Sequence, residues 1–111
     1  MSLNKQIPAE QWVEFFDMFT NGNKGRLIEL EVLDPELGDE TPVKDQPLLS
    51  LVYDPVGKGN DLTIEIGRDQ VAYAHTIDAP NKVWQQQDEN GKVVALEIKA
   101  DDRTQAIVRL L

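Results

Sequence analysis

Two neighbouring stretches decide the fold: Pro8-Ala9-Glu10-Gln11-Trp12-Val13-Glu14-Phe15-Phe16-Asp17-Met18-Phe19-Thr20-Asn21-Gly22, and then Ile28-Glu29-Leu30-Glu31-Val32. In the first, Trp12, Phe15, Phe16 and Phe19 recur at i, i+3, i+4 and i+7, and Glu10, Glu14 and Asp17 fall on the opposite side at 100° per residue. Pro8 opens this helix because its missing N–H costs nothing at a first helical position, and Glu10 meets the positive end of the helix dipole. Asn21-Gly22 is the expected stop. In the second stretch the period drops to two, which marks a strand with one apolar and one wet face. A large aromatic stripe therefore meets pleated backbone within the first third of the chain.

The rest of the chain repeats the period of two. Asp34 to Pro42 combines two prolines, a glycine and four acids without periodicity and reads as a loop. Leu48 to Tyr53 is apolar on both sides of the pleat, as in a strand covered on both faces. Asp54-Pro55 and Gly57-Lys58-Gly59-Asn60 end it. Leu62, Ile64 and Ile66 form the next strand, and Gly67 to Gln70 connects it tightly to Val71–Ile77. Lys82–Asp88 and Val93–Lys99 flank Asn90-Gly91, a dipeptide suited to a type I′ hairpin turn. Asp101-Asp102-Arg103 turns the chain into Ala106–Leu110. Short consecutive connections favour an antiparallel meander.

The expected fold is one α+β domain over residues 1–111: a single N-terminal helix on a curved, mostly antiparallel meander of six to seven strands. Ala72, Ala74 and Thr76 form a small-residue face on which the helix could sit closely. One helix of about three turns cannot cover several doubly apolar strands, so either the sheet curls toward a barrel or two copies of the chain meet.

Composition removes several function classes. The 111 residues carry 20 acids and 11 bases, a net charge of -9 that repels both a phosphate backbone and an anionic bilayer. Neither nucleic acid nor membrane is an expected partner. The absence of cysteine excludes a disulfide framework, thiolate catalysis and cysteine-ligated metals. No apolar run approaches the ~20 residues of a membrane span and no leader-like segment opens the chain, so the cytoplasm is the expected location.

No catalytic, cofactor or metal motif stands out. Gly57-Lys58-Gly59 lacks both the upstream glycine and the following hydroxyl of a phosphate loop and reads as a turn. His75 is the single histidine, so a metal site there would need carboxylates from elsewhere. On the alternating pattern it shares a face with Val71, Tyr73 and Ile77, as a half-buried strand histidine. The acids between Asp34 and Glu40 lack calcium-loop spacing.

Two surface features suggest binding. Glu10, Glu14 and Asp17 form an acidic stripe with no lysine to relieve it, either a solvated face or a surface for a basic partner. Trp84, set among Lys82, Gln85, Gln86 and Gln87, is either a core residue or an exposed aromatic anchor of the kind enriched at interfaces.

Ile7-Pro8-Ala9-Glu10-Gln11-Trp12 with Phe15-Phe16, the run Leu30 to Gly38, and Leu51-Val52-Tyr53-Asp54-Pro55 together resemble a family of small acidic bacterial proteins of unknown function, over nearly the whole chain. The resemblance implies a bacterial source and a free-standing domain, and it carries no site residue or cofactor. The leading expectation is a non-enzymatic protein-interaction module that self-associates, through the acidic stripe of Glu10, Glu14 and Asp17 or the strand bearing Trp84. The alternative is a small-molecule binder with an apolar pocket between helix and curled sheet, and Tyr73, His75 or Trp84 at its mouth.

Overall fold

The computed structural model describes residues 3–111. Eight strands, β1 (Leu3–Gln6), β2 (Leu27–Asp34), β3 (Gly38–Asp54), β4 (Asp61–Ile66), β5 (Tyr73–Asp78), β6 (Pro80–Gln87), β7 (Val93–Ala100) and β8 (Gln105–Leu110), accompany one helix, α1 (Trp12–Asn23). A short 3₁₀ turn, Ala9–Gln11, leads from Pro8 into α1. The strands pair antiparallel in the order β1-β6-β7-β8-β2-β3-β4-β5. The α+β reading with a helix on an antiparallel sheet holds. The strand count of six to seven is corrected to eight, and the sheet does not close into a barrel, because its order ends at β1 and β5.

The curvature resides in β3. Its first half, from Gly38 to Pro47, pairs with β2, and its second half, from Leu48 to Asp54, pairs with β4. The change of partner falls at Asp45, whose φ of 53° is left-handed, and at Pro47. A left-handed residue turns the strand out of one plane and into another. The segment from Gly38 to Pro42, expected as loop, is therefore paired strand, with Asp39 opposite Leu33 and Glu40 opposite Val32. Only Pro35, Glu36 and Leu37 form the turn. Its prolines and acids are tolerated because this part of β3 is exposed along its length.

Beyond the bend, the side of β3 that faced β2 needs new hydrogen-bond partners, and the N-terminal segment supplies them. Gly25 N–H donates to the Leu48 carbonyl at 2.8 Å, Leu48 N–H donates to the Arg26 carbonyl at 2.9 Å, and Thr20 of α1 serves Leu51. The helix thus lies along β3, not on the small residues of β5: Ala72, Ala74 and Thr76 are all exposed. It also continues through Asn21-Gly22 to Asn23, and the left-handed residue after it is Gly25, with φ 87°. Phe19, buried one turn before the expected stop, holds that last turn against the core.

The aromatic stripe is buried as expected. Trp12, Phe16 and Phe19 enter one core with Ile28, Leu30, Leu48, Leu51, Leu62, Ile64, Val83, Leu96, Ile98 and Val108, and Phe15 packs against its margin. Trp12 meets Tyr53 edge to face at 5.4 Å between ring centres, and its indole N–H donates to the Ile7 carbonyl at 2.8 Å. Such an edge-to-face pair adds roughly 0.5–1.5 kcal/mol beyond burial. Ile7 N–H in turn donates to Val83, which fixes β1 along β6. No helix among the described residues is long and apolar enough to cross a membrane.

The β6–β7 hairpin forms as expected, but with a different turn. Gly91 N–H donates to the Asp88 carbonyl and Asp88 N–H to the Lys92 carbonyl, and only Gly91 has positive φ, 80°. This is a type I turn followed by a glycine bulge, the three-residue alternative to a type I′ turn. The Asp88 carboxylate selects it by accepting hydrogen bonds from the amides of Asn90 and Lys92.

Candidate interaction surface

Strands β6, β7, β8 and β2 turn alternate residues outward, and the register aligns them in rows. One row runs Asn4, Gln86, Ala95, Arg109, Glu29 and the next runs Gln6, Trp84, Glu97, Ile107, Glu31. Val83, Leu96, Ile98, Ala106 and Val108 take the inward positions and are buried. Trp84 therefore stands on the outer face, half-buried, and not in the core. It lines a shallow depression of about 140 Å³ with Asn4, Gln86, Glu97, Ile107 and Arg109.

Arg109 is the electrostatic centre of this face. Its guanidinium reaches Glu31 at 2.8 Å and Glu29 at 3.2 Å. The hydrogen bond to Glu31, with the charges of both glutamates, raises its pKa above the usual value against an opposing desolvation. Glu29 and Glu31 point the same way because they are two apart on β2, so one guanidinium between them relieves a like-charge pair and is held in place by it. A fixed arginine beside a half-buried indole is the composition of interface centres, where both residue types are enriched. Ordinary sequence reading passes over Arg109, since its partners lie on a strand about eighty residues away; the Glu29-Leu30-Glu31 spacing is the one local sign of it.

The acidic stripe is exposed throughout, at Glu10, Glu14 and Asp17. It is interleaved with exposed apolar side chains, Val13 and Met18, the latter 66% exposed. Gln11, Glu14, Phe15 and Met18 surround an open depression of about 280 Å³. Trp84 and the stripe thus belong to different surfaces, one on the sheet and one on the helix.

Tyr73 and His75 lie on β5, on the face where Ile77 is buried; His75, opposite Ile64 on β4, is half-buried and Tyr73 is exposed. Burial lowers the pKa of His75, because the charged imidazolium loses solvation there. The depression bordered by Trp84 is built from β1, β6, β7 and β8, and Tyr73 and His75 contribute nothing to it. The space between helix and sheet is occupied by Trp12, Phe16 and Phe19, with Phe16 only 1% exposed. Larger clefts lie elsewhere. One of about 450 Å³ runs between the β2–β3 and β7–β8 turns, lined by Asp34, Glu36, Asp102 and Arg103. Asp34 and Asp102 each spend an oxygen on amides of their own turns, and the Thr104 hydroxyl and amide hold the Asp102 carboxyl below its usual pKa. The Gly57-Lys58-Gly59 segment is a turn, with Lys58 N–H donating to the Pro55 carbonyl and both glycines at positive φ.

Residues 3–111 match the family of unknown function DUF5335. The chain belongs to that family. A relative from Aquifex aeolicus (strain VF5), named "Uncharacterized protein", is 34% identical over 106 residues, which cover 96% of this chain and 90% of the relative. No solved structure matches the chain. The DUF5335 match takes in all eight strands and the helix, so the Trp84 face and the acidic stripe both fall within the family's extent.

Proposed function

We propose that this protein is a non-enzymatic protein-interaction module whose main contact surface is the outer sheet face centred on Trp84. The observation that carries the reading is the placement of Trp84, half-buried in a polar sheet surface beside an arginine clamped by two glutamates. An indole left partly in water offers apolar area to a partner, and the fixed guanidinium offers directed donors at little entropic cost. The acidic stripe of Glu10, Glu14 and Asp17 is a second, charge-driven contact that adds attraction for a basic partner and fades with salt.

Affinity capture with the wild type, Trp84→Ala and Glu14→Lys at low and moderate salt tests the reading. Trp84→Ala should lose the partner at both salt levels, whereas Glu14→Lys should weaken capture mainly at low salt. Recovery of the same proteins by wild type and Trp84→Ala would overturn the assignment to the Trp84 face.

A further inference from the structure

One cleft gathers cations in a chain that is short of them. It measures about 340 Å³ and, among the described residues, is lined by Asn81, Lys82, Lys99, Ala100, Arg103 and Gln105, with no carboxylate. The register puts it on the outer sheet face, in the row next to that of Trp84, which runs Lys82, Lys99, Gln105, Leu33. Three of the chain's 11 bases thus stand at one opening that its 20 acids leave clear.

Two features of this cleft cost stability, and each brings in a cation. Lys82 lies directly opposite Lys99, the one like-charge pair among the cross-strand pairs of this outer face, and such pairs destabilise a sheet. On the same face Arg109 relieves the crowding of Glu29 and Glu31, whereas Lys99 has only Glu97, at 3.7 Å, and Lys82 has no acidic partner among the described residues. Arg103 is held at φ 72°, in the left-handed region that costs any residue with a Cβ. Its guanidinium forms no ion pair among the described residues, and the adjoining acids are engaged elsewhere: Asp101 accepts from the Asn81 amide at 2.8 Å, and Asp102 from the Thr104 hydroxyl at 2.6 Å. Asn81 is the extra residue of a bulge, between Pro80 opposite Ala100 and Lys82 opposite Lys99, and a bulge re-aims the side chains around it.

We infer that this cleft binds a phosphate monoester group. An anion there offsets both costs at once, since it lies between Lys82 and Lys99 and gives Arg103 the partner it lacks. Charge sets the class: three cations against the single carboxylate of Glu97 leave two positive charges, which a phosphate monoester, close to doubly charged at neutral pH, matches and a single carboxylate does not. The arginine fork takes two phosphate oxygens, the lysines act as point charges, and the Gln105 amide adds a neutral donor. The net charge of -9 opposes an anion only over a Debye length of about 8 Å at physiological salt, so inside the cleft the nearby cations decide. The site shares no lining residue with the depression at Trp84 and stands apart from the reading of that face as a protein contact.

An NMR titration of the backbone amides with inorganic phosphate, against sodium chloride of equal ionic strength and with thermal melts in both salts, tests this. In the wild type, phosphate should shift the amides of Lys82, Lys99 and Arg103 and raise the melting temperature above the chloride control. Lys82→Gln and Arg103→Gly should each bind phosphate roughly tenfold more weakly, the loss of one charge-assisted hydrogen bond, yet melt no lower than the wild type in chloride, because each removes an unfavourable feature. Lys58→Gln, in the Pro55–Gly59 turn, should respond as the wild type does. Phosphate that shifts these amides no more than chloride does, or binds both cleft variants undiminished, would overturn the inference. So would weaker binding matched by a lower melting temperature in chloride for both variants, since the cations would then serve the fold. A sugar phosphate compared with a phosphoserine tripeptide identifies the carrier: the tighter of the two shows whether the group arrives on a small molecule or on a modified protein. Loss of phosphate binding leaves capture through Trp84 untouched, so the two readings fail separately.

Discussion

The Thr20 hydroxyl accepts a hydrogen bond from the Leu51 amide at 2.9 Å and stands 3.3 Å from the Leu51 carbonyl, to which it donates. One helical side chain thus does for β3 what a neighbouring strand would, thirty-one positions away in sequence. This contact, with Gly25 and Arg26 on Leu48, lets β3 change partners at Asp45 without leaving buried backbone groups unpaired. It also sets the helix on β3 rather than on β5, and so leaves β5 open.

Thr20→Val keeps the shape and removes both hydrogen bonds. It should cost about 1–3 kcal/mol, the range for stranding a buried backbone donor, and Thr20→Ser should restore most of that. Urea unfolding midpoints measure it. Equal midpoints for Thr20→Val and wild type would show that the helix is held by its aromatic residues alone.

Two left-handed residues should respond in opposite directions. A Cβ on Gly67, at φ 152°, would lie 2.0 Å from the Gln70 carbonyl oxygen, so Gly67→Ala forces backbone to move and should cost more than about 2 kcal/mol. Arg103, at φ 72°, occupies in the β7–β8 turn the place Gly91 holds in the β6–β7 turn, with Arg103 N–H donating to the Ala100 carbonyl. Arg103→Gly relieves the left-handed strain and should raise stability by about 0.5–1 kcal/mol despite the added freedom of the unfolded chain. Thermal melts of both variants decide the matter, and a destabilised Arg103→Gly would mean that the arginine side chain contributes a contact there.

His75 gives the fold a pH signature. Its pKa is lowered by burial, so between the folded value and the ordinary 6.5 the unfolded chain binds more protons than the native one. The stabilising effect of a neutral His75 is complete above pH 6.5 and is lost as pH falls through the folded value. His75 is the single histidine, so the difference in melting temperature between wild type and His75→Gln isolates it. That difference should move against the wild type on going from neutral pH to about pH 5. A constant difference would place His75 in solvent.

Much of this was legible before any coordinates, and the failures have physical causes. The stripe of Trp12, Phe16 and Phe19 announces itself because helical spacing and burial coincide. The β6–β7 hairpin shows for a similar reason, an Asn-Gly turn between alternating runs, although the Asp88 carboxylate chose a different turn type. β1 was hidden because Leu3–Gln6 is exposed on both faces and is held by backbone bonds to β6 alone, a contact without a periodic signal. The early part of β3 was hidden because prolines and acids mask a strand that buries only Val43 before the bend. At the surface, Trp84 had two open positions, core or solvent; the alternation of β6 settled it outward by sending Val83 in. Arg109 needed the β2–β8 register, which joins residues about eighty apart and leaves no local trace.

On the proposed function, the outer sheet face meets another protein at Trp84. Replacing Trp84 with a photo-crosslinking benzoylphenylalanine, and Val56 on the exposed Pro55–Gly59 turn as a control, tests it inside the cells that make the protein. Position 84 should give a discrete crosslinked species of higher mass and position 56 none. Illumination that yields no adduct from position 84, or the same smear from both positions, would contradict it.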